Sequence, residues 1–294
     1  AAPAAAEHAL DHTLQTAFQC LHAHGRSKAT CSDPGDGGDR SGGLAWLPVP
    51  EVTLLDGGMG RELARVGAPF RQPEWSALAL MESPRHVTEV HEAYARAGAD
   101  VLTTNAYAIV PFHIGADRFA ADGVDLAASA GALARGVADR FGVRVAGCLP
   151  PVLGSYLPGA FVPDNARPIL ELLIDAQAEH VDVWLAETQS SILEAETVRA
   201  VLDREGSVHP LWVSYTLADE LDDGRATLRS GEGVGDAARA AVAAGASAVL
   251  FNCSPPEVME AAVDEAATAV EVPVGAYANA FVVGEGGANA TLHD

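Results

Sequence analysis

The sequence predicts an α/β fold, a (β/α)8 TIM barrel that lacks its eighth β/α unit and carries a flexible N-terminal extension. Three observations carry this prediction. Seven short apolar runs alternate with longer helical patterns, polar residues follow the ends of the runs, and the 294 residues suffice for one large core.

The seven apolar runs predict the strands. Each run is rich in Val, Leu or Ile and is too short for a helix, which is typical of strands buried on both faces of a parallel sheet. The runs cover residues 52–56, 101–104, 143–148, 183–187, 211–215, 248–252 and 274–277.

The longer stretches between the runs predict helices. The first of them follows Ser83 and has Pro84 at its first position, which predicts Ser83 as the N-cap residue. Gly98 and Gly245 each stand in an Ala-Gly-Ala connection before a strand, where we expect the left-handed conformation that ends a helix. The predicted helices cover residues 84–97, 124–140, 168–180, 192–204, 235–244 and 257–270.

This alternation suits either an open doubly wound sheet or an incomplete barrel, and the polar residues at the strand ends favour the barrel. A barrel gathers those ends around one mouth, whereas an open sheet spreads them along an edge. No GxGxxG follows the first run, which argues against a dinucleotide-binding sheet. The residues at the strand ends are Asp56, Thr104, Asn105, Glu187, Thr216, Asn252, Cys253 and Asn279.

Residues 1–50 are predicted to be an extension outside the barrel, which covers residues 51–294. Residues 33–43 are dominated by Gly, Asp and Ser and read as a flexible linker, and residues 7–24 have the pattern of a short helix. Because the barrel is predicted to be incomplete at its C-terminal end, its first and seventh strands would have unpaired edges.

The composition excludes several classes of partner. Acidic residues outnumber basic ones by 40 to 18, so the formal net charge is −22, which disfavours nucleic acid and anionic membranes as partners. No apolar run is long enough to span a bilayer. The four cysteines are widely scattered and do not resemble a disulfide framework, so we expect a cytoplasmic protein with reduced thiols.

The first candidate site follows the first strand, where Asp56 precedes Gly57 and Gly58. Glycines allow a ligand to approach the backbone closely, so Asp56 could bind an ammonium group while nearby N–H groups bind a carboxylate. A tight turn in which Asp56 caps the next segment explains the same residues equally well.

Three further candidates follow the fourth and sixth strands. Glu187 leaves a buried strand and must be hydrated, paired with an arginine or bound to a ligand. Cys253 could be a thiolate metal ligand, although a lone cysteine is more often a small buried apolar residue. Asn252 could orient a ligand or cap the helix that follows.

Taken in order, six segments of the chain resemble the homocysteine S-methyltransferase family over residues 52–281. The segments are LLDGGMGREL, RAGADVLTTNAY, VAGCLPPVLGSYLPGA, WLAET, VLFNC and VGAYANAF. The likeness is closest to the branch that uses S-methylmethionine or S-adenosylmethionine, and it implies methyl transfer to homocysteine, giving methionine in methionine biosynthesis.

The resemblance implies roles for individual residues. Asp56 and Glu187 would be the catalytic carboxylates that hold the amino group of homocysteine, and backbone near Gly57 and Gly58 would hold its carboxylate. Cys253 would be the first of three ligands to a zinc ion that stabilises the substrate thiolate. Asn105 and Asn252 lie in the matching substrate-binding motifs.

The family's other two zinc ligands are an adjacent Cys-Cys pair, which these 294 residues do not contain. A catalytic zinc site needs three protein ligands, so the zinc site of this chain is expected to be incomplete and the chain inactive because two zinc ligands are missing. Substitute ligands are disfavoured, because the remaining candidates match no zinc motif: Cys148, His293, Cys20, His22, His24 and Cys31.

Two other classes of protein stay open. One is a zinc-free member of the same family that binds an amino acid or regulates without catalysis. The other is an unrelated barrel enzyme such as an aldolase or lyase, which would need a Schiff-base lysine or a cluster of carboxylates around a metal ion. Lys28 is the only lysine and lies in the N-terminal extension, which argues against the Schiff-base chemistry.

Overall fold

A computed structural model describes residues 19–22 and 52–279 of the chain. In these residues seven parallel strands alternate with helices and curl into a barrel, as the alternating runs predict, and an eighth strand closes it. The strands are β1 (Gln19–His22), β2 (Val52–Leu55), β3 (Val101–Thr103), β4 (Arg144–Leu149), β5 (Val183–Gln189), β6 (Leu211–Tyr215), β7 (Ala246–Asn252) and β8 (Val274–Tyr277).

The helices of the described residues surround the strands. Six of them match the predicted helices to within a few residues, except that α5 and α6 begin earlier than predicted. The helices are α1 (Met59–Arg65), α2 (Ser76–Glu82), α3 (Pro84–Arg96), α4 (Pro111–Ile114), α5 (Ala116–Phe141), α6 (Pro163–Gln177), α7 (Ile192–Arg204), α8 (Val234–Ala243) and α9 (Pro256–Ala269).

The strand that closes the barrel corrects two expectations. β1 pairs antiparallel with both β2 and β8, so that Cys20 lies opposite Leu54 on one side and Ala276 on the other. The predicted helix over residues 7–24 is therefore wrong at Gln19–His22, and its other residues lie outside the described ones. The expected open edges of β2 and β8 are also paired, because β1 supplies the missing backbone partners. The domain boundary at residue 50 stays a prediction.

Two apolar layers hold the barrel together. The larger cluster joins strand residues such as Leu102 and Phe251 to helix residues such as Val90 and Leu173, so it lies between the strands and the surrounding helices. The smaller cluster contains strand residues alone, including Leu55 and Leu185, which places it inside the barrel. Burial of both strand faces explains why the runs are continuously apolar instead of alternating.

The predicted helix ends are confirmed at the glycines and corrected at the serine. Gly98 has a φ of +100° and Gly245 a φ of +89°, so both adopt the left-handed region. Ser83 occupies the N-cap position of α3, but its side chain caps no backbone N–H. Its hydroxyl instead lies 2.8 Å from Nδ1 of His86.

Because β2 to β8 run parallel, their carboxyl ends open on the same mouth of the barrel. Asp56 follows β2, Glu187 lies near the end of β5, and Cys253 follows β7. None of the helices in the described residues combines the length and the apolar character that spanning a membrane requires.

Candidate active site

Asp56 is held in place by Thr103 on the neighbouring strand β3. It is buried, and both of its carboxylate oxygens accept a hydrogen bond of 2.8 Å from Thr103, one from the backbone N–H and one from the hydroxyl. Burial raises the pKa of Asp56 to about 7, the hydrogen bonds from Thr103 oppose this rise, and the charge of Glu187 adds to it. The side chain is therefore a buried acid that titrates near neutral pH.

Glu187 is held from two sides of the mouth. The hydroxyl of Tyr277 on β8 donates a 2.5 Å hydrogen bond to Oε1, and the thiol of Cys148 on β4 lies 3.4 Å from Oε2 as a donor. Burial raises the pKa of Glu187, while the hydrogen bonds from Tyr277 and Cys148 lower it. No arginine is among the hydrogen-bond or ion-pair partners recorded for Glu187 in the described residues, so the predicted alternative of an ion pair is not supported there.

Cys253 is a partly buried thiol surrounded by hydrogen-bond donors. Burial and, after it, the charge of Glu187 raise the pKa of Cys253 to about 11, although hydrogen bonds from Tyr156, Thr188 and Asn252 oppose this rise. Its φ of +50° places it in the left-handed region, which is uncommon for a residue with a side chain and turns the chain sharply after β7. The thiol is protonated at neutral pH unless a cation binds it.

The glycines after β2 have a packing reason that the sequence did not show. A Cβ atom on Gly57 would lie 2.8 Å from the ring of Tyr94, closer than real Cβ atoms approach. The Tyr94 hydroxyl donates to the carbonyl oxygen of Gly58 at 3.3 Å. A Cβ on Gly58 would meet nothing within 4 Å, so its surroundings are open. Whether these backbone N–H groups bind a carboxylate stays a prediction.

Asn105 and Asn252 differ in whether their amide oxygen has a hydrogen-bond partner. Asn105 donates to the carbonyl oxygen of Ser76 at 3.0 Å, while its own Oδ1 is buried without a hydrogen-bond partner among the described residues. Asn252 is occupied by protein groups. Its Oδ1 accepts from Thr188 N at 3.1 Å and from the Ser214 hydroxyl at 2.7 Å, and its Nδ2 donates to the Thr188 hydroxyl at 2.8 Å.

Tyr277 links two of the predicted residues directly, because its hydroxyl donates to Glu187 and its carbonyl oxygen accepts from the backbone N–H of Cys253 at 3.2 Å. After burial, the charge of Glu187 also raises the pKa of both Asp56 and Cys253. Burial followed by the charges of Glu187, Asp56 and Cys253 raises the pKa of Cys148. The structure therefore brings together the two acids and the thiol that the sequence placed on three different strands.

The described residues do not complete a zinc site. They contain no group of three His, Cys, Asp or Glu side chains that could hold a metal ion. The thiol of Cys148, which is another candidate ligand, is hydrogen-bonded to Glu187. The N-terminal Cys and His side chains and His293 are not among the described side chains. Cys253 is suited to be one ligand, and the fit to zinc ends there.

Sequence reasoning missed Thr103, Tyr277 and Tyr156. Thr103 stands in β3 directly before the predicted Thr104, and its polarity in an apolar strand was the signal that it faces the mouth. Tyr277 ends the last run in the same way. Tyr156 has a φ of +66° and carries the guanidinium of Arg229 5.0 Å above its ring. Nothing local in the sequence indicates that contact.

A β/α barrel whose mouth holds a buried carboxylate, a partly buried carboxylate and a partly buried thiol belongs to the class of barrel enzymes with a polar ligand site at the carboxyl ends of the strands. A family model described as homocysteine S-methyltransferase matches residues 53–293. The chain belongs to the homocysteine S-methyltransferase family of enzymes.

Individual relatives agree with this assignment. Homocysteine S-methyltransferase 1 of Zea mays is 27% identical over 280 residues, covering 86% of this chain and 82% of that protein. A selenocysteine Se-methyltransferase of Brassica oleracea var. italica is 29% identical, and the match covers 77% of this chain and 72% of that protein. The metallated crystal structure of the homocysteine methyltransferase MmuM from Escherichia coli has a TM-score of 0.64 at 26% identity, covering 76% of this chain and 82% of that one.

Proposed function

We propose that this chain transfers a methyl group from an S-methylmethionine-like or S-adenosylmethionine-like donor to the thiol of homocysteine, giving methionine. The proposal rests on the placement of Asp56, Glu187 and Cys253 at the carboxyl ends of β2, β5 and β7, where the charge of Glu187 raises the pKa of both Asp56 and Cys253. The reaction forms a bond between the acceptor sulfur and the methyl carbon. It breaks the bond from that carbon to the donor sulfur, leaves a neutral thioether and releases the thiol proton.

The two acids are suited to an α-ammonium group. Asp56 is buried and Glu187 is partly buried, and removal from water raises the pKa of each because it disfavours the charged form. Both are held by neutral donors, which leave the negative charge uncancelled. An ammonium group between them would offset the cost of burying two negative charges. Asp56 and Glu187 are thus proposed as the groups that bind and orient the amino acid.

The other contacts are proposed around that anchor. The backbone after β2, at Gly57 and Gly58, is proposed to receive the carboxylate of the amino acid. Asn105 is proposed to contact the substrate through its unpartnered buried oxygen. Asn252 is proposed to act less directly, because its amide already holds Thr188.

A cationic methyl donor suits the charge of the molecule. With a formal net charge of −22 and two acids at the mouth, the chain attracts a sulfonium ion and gains nothing from an anionic donor. This argument does not separate the two kinds of donor. The acceptor is likewise open between a thiol and a selenol, since a relative is named as a selenocysteine Se-methyltransferase.

Zinc is the cofactor that the family implies, and Cys253 is the residue proposed to bind it. When bound, zinc would stabilise the acceptor sulfur as a thiolate. The described residues contain no group of three His, Cys, Asp or Glu side chains that could hold the ion, so they do not complete its site. The same observation favours a second candidate, in which the 294-residue chain binds the amino acid without zinc and transfers methyl groups slowly or not at all.

The remaining proposals concern binding partners and cellular location. Small molecules are the proposed partners, with no nucleic acid and no membrane, and a cytoplasmic location fits the acidic composition.

The test is methyl transfer by the purified chain. Homocysteine is supplied with S-methylmethionine or S-adenosylmethionine carrying a deuterated methyl group, and labelled methionine is measured by mass spectrometry. We expect Asp56→Asn and Glu187→Gln each to weaken homocysteine binding about tenfold or more, because each removes a charge that pairs with the ammonium group. Asp182→Asn is the matched control, since Asp182 precedes the same strand as Glu187 at the opposite end of the barrel.

Zinc content separates the two candidates. Under the second, the dialysed chain holds much less than one zinc ion and binds homocysteine with little turnover. One tightly bound zinc ion per chain that is lost in Cys253→Ala, together with turnover, would overturn the second candidate and support the first. Failure of the wild-type chain to bind homocysteine would overturn both.

A further inference from the structure

The Glu187 carboxylate is held by two residues to which the proposed function assigns no role. We propose that Tyr277 and Cys148 are positioning residues that fix Glu187 as the anchor for the ammonium group of the acceptor amino acid. This inference rests on the proposed function and assigns the means by which one of its binding groups is oriented.

The geometry of the contacts carries the proposal. Tyr277 ends β8, three strands away from β5 in the barrel, so its hydroxyl reaches Glu187 across the mouth. Cys148 stands on β4, the direct neighbour of β5, and approaches the other carboxylate oxygen. One oxygen is therefore held from across the mouth and the other from alongside, which limits rotation about the side-chain torsions of Glu187.

Both partners are neutral, and this distinguishes positioning from neutralisation. A buried carboxylate that only needed stabilising would be served best by an arginine, which cancels its charge and forms two hydrogen bonds. Tyrosine and cysteine satisfy the oxygens but leave the negative charge in place. Asp56 is treated in the same way by Thr103, so the mouth contains two oriented carboxylates ready for a cation.

Cys148 is itself held in place. Its backbone N–H donates to the Thr104 hydroxyl at 2.9 Å, and that hydroxyl donates to Oε1 of Gln177 at 2.6 Å. The residue is fully buried, so its thiol has little freedom to leave the carboxylate. A thiol is a weak donor, so Tyr277 should contribute more than Cys148 to the orientation of Glu187.

The test compares two ligands that differ only in the ammonium group. Dissociation constants for homocysteine and for 4-sulfanylbutanoate, which lacks the amino group, are measured by calorimetry on the wild-type chain and its variants. Tyr277→Phe should weaken homocysteine binding about tenfold, and Cys148→Ala about threefold, because each removes a hydrogen bond to a charged group. Binding of 4-sulfanylbutanoate should stay within about twofold of wild type.

Two matched variants complete the design. Cys148→Ser keeps a donor at the same position and should restore most of the preference for homocysteine. Tyr215→Phe removes a hydroxyl from another buried barrel tyrosine, which donates to the Ala237 carbonyl at 3.4 Å and not to Glu187, and should leave the preference unchanged.

Infrared spectroscopy of the ligand-free chain gives a second measurement, which reports on the hydrogen bonds to the Glu187 carboxylate. The carboxylate band of Glu187, identified by its loss in Glu187→Gln, should shift in Tyr277→Phe and in Cys148→Ala but not in Tyr215→Phe. Equal weakening of both ligands would show a merely structural role and overturn the inference alone, as would an unshifted band. A wild-type chain that does not bind homocysteine would overturn the proposed function and the anchor role with it.

Discussion

Burial acts with opposite sign on the acids and on one histidine. Burial raises the pKa of Asp56 from 3.8 to about 7, so protonation of Asp56 favours the folded state as the pH falls below neutral. Burial lowers the pKa of His91 from 6.5 to about 4, so protonation of His91 favours the unfolded state. His91 is fully buried in α3, and neither of its ring nitrogens has a hydrogen-bond partner among the described residues.

Replacing His91 by leucine should therefore stabilise the protein. The gain at neutral pH should be about 1 to 2 kcal/mol, because an unpartnered buried polar group is removed. The contribution of the neutral His91 ring to stability is present in full above pH 6.5 and is lost as the pH falls towards 4. Over this range the free energy of unfolding of the wild type should fall by about 3 kcal/mol relative to that of the variant. Urea unfolding between pH 8 and pH 4.5 measures the difference.

His209→Leu is the control, because the His209 side chain is partly exposed to solvent in the folded protein, whereas His91 is fully buried. A difference between His91→Leu and wild type that stays constant with pH would contradict the assignment of His91 as a neutral buried residue.

Two serines at the N-cap positions of helices differ in whether their side chains cap the helix. Ser191 caps α7, since its hydroxyl accepts from Glu194 N at 3.2 Å, and Oε2 of Glu194 accepts in turn from Ser190 N at 2.5 Å. Ser83 holds the same position at α3 without capping any backbone N–H. A serine followed by a helical pattern thus predicts the start of a helix and leaves the capping bond undecided.

Ser191→Ala should lower the free energy of unfolding by about 1 kcal/mol, because it leaves a buried backbone donor without its partner. Ser83→Ala should cost clearly less, since it removes only the contact with His86. Thermal unfolding of both variants at pH 7 compares them directly. Equal losses, or a larger loss for Ser83→Ala, would contradict the difference between the two caps.

Closure of the barrel is a property of the whole molecule. The first and last parallel strands, β2 and β8, are not adjacent to each other in the sheet, and β1 lies between them. The strand contributes only four residues but pairs along both of its edges. Without it, two strand edges with unpaired N–H and C=O groups would face solvent.

Removal of β1 should destabilise the barrel and promote aggregation. A chain beginning at residue 24 lacks the strand, whereas a chain beginning at residue 19 keeps it, so the pair isolates the effect of four paired residues from the effect of shortening. We expect a melting temperature lower by several degrees in the shorter chain, measured with light scattering to detect aggregation. Identical melting and scattering of the two chains would show that β1 does not close the barrel.

The sequence by itself determined the alternation of strands and helices, the family, and the acids and thiol at the strand ends. These features are readable because burial on both strand faces leaves a continuous apolar run, and because polarity at the end of such a run is a local signal.

Only the tertiary structure decided which groups orient the acids and what closes the barrel. Thr103 and Asp56 are 47 residues apart in the chain, Tyr277 and Glu187 are 90 apart, and β1 pairs with residues 30 or more positions away. Such contacts depend on the curvature of the sheet and on side-chain packing. Neither leaves a periodic trace in the sequence, which is the physical reason they could not be read from it.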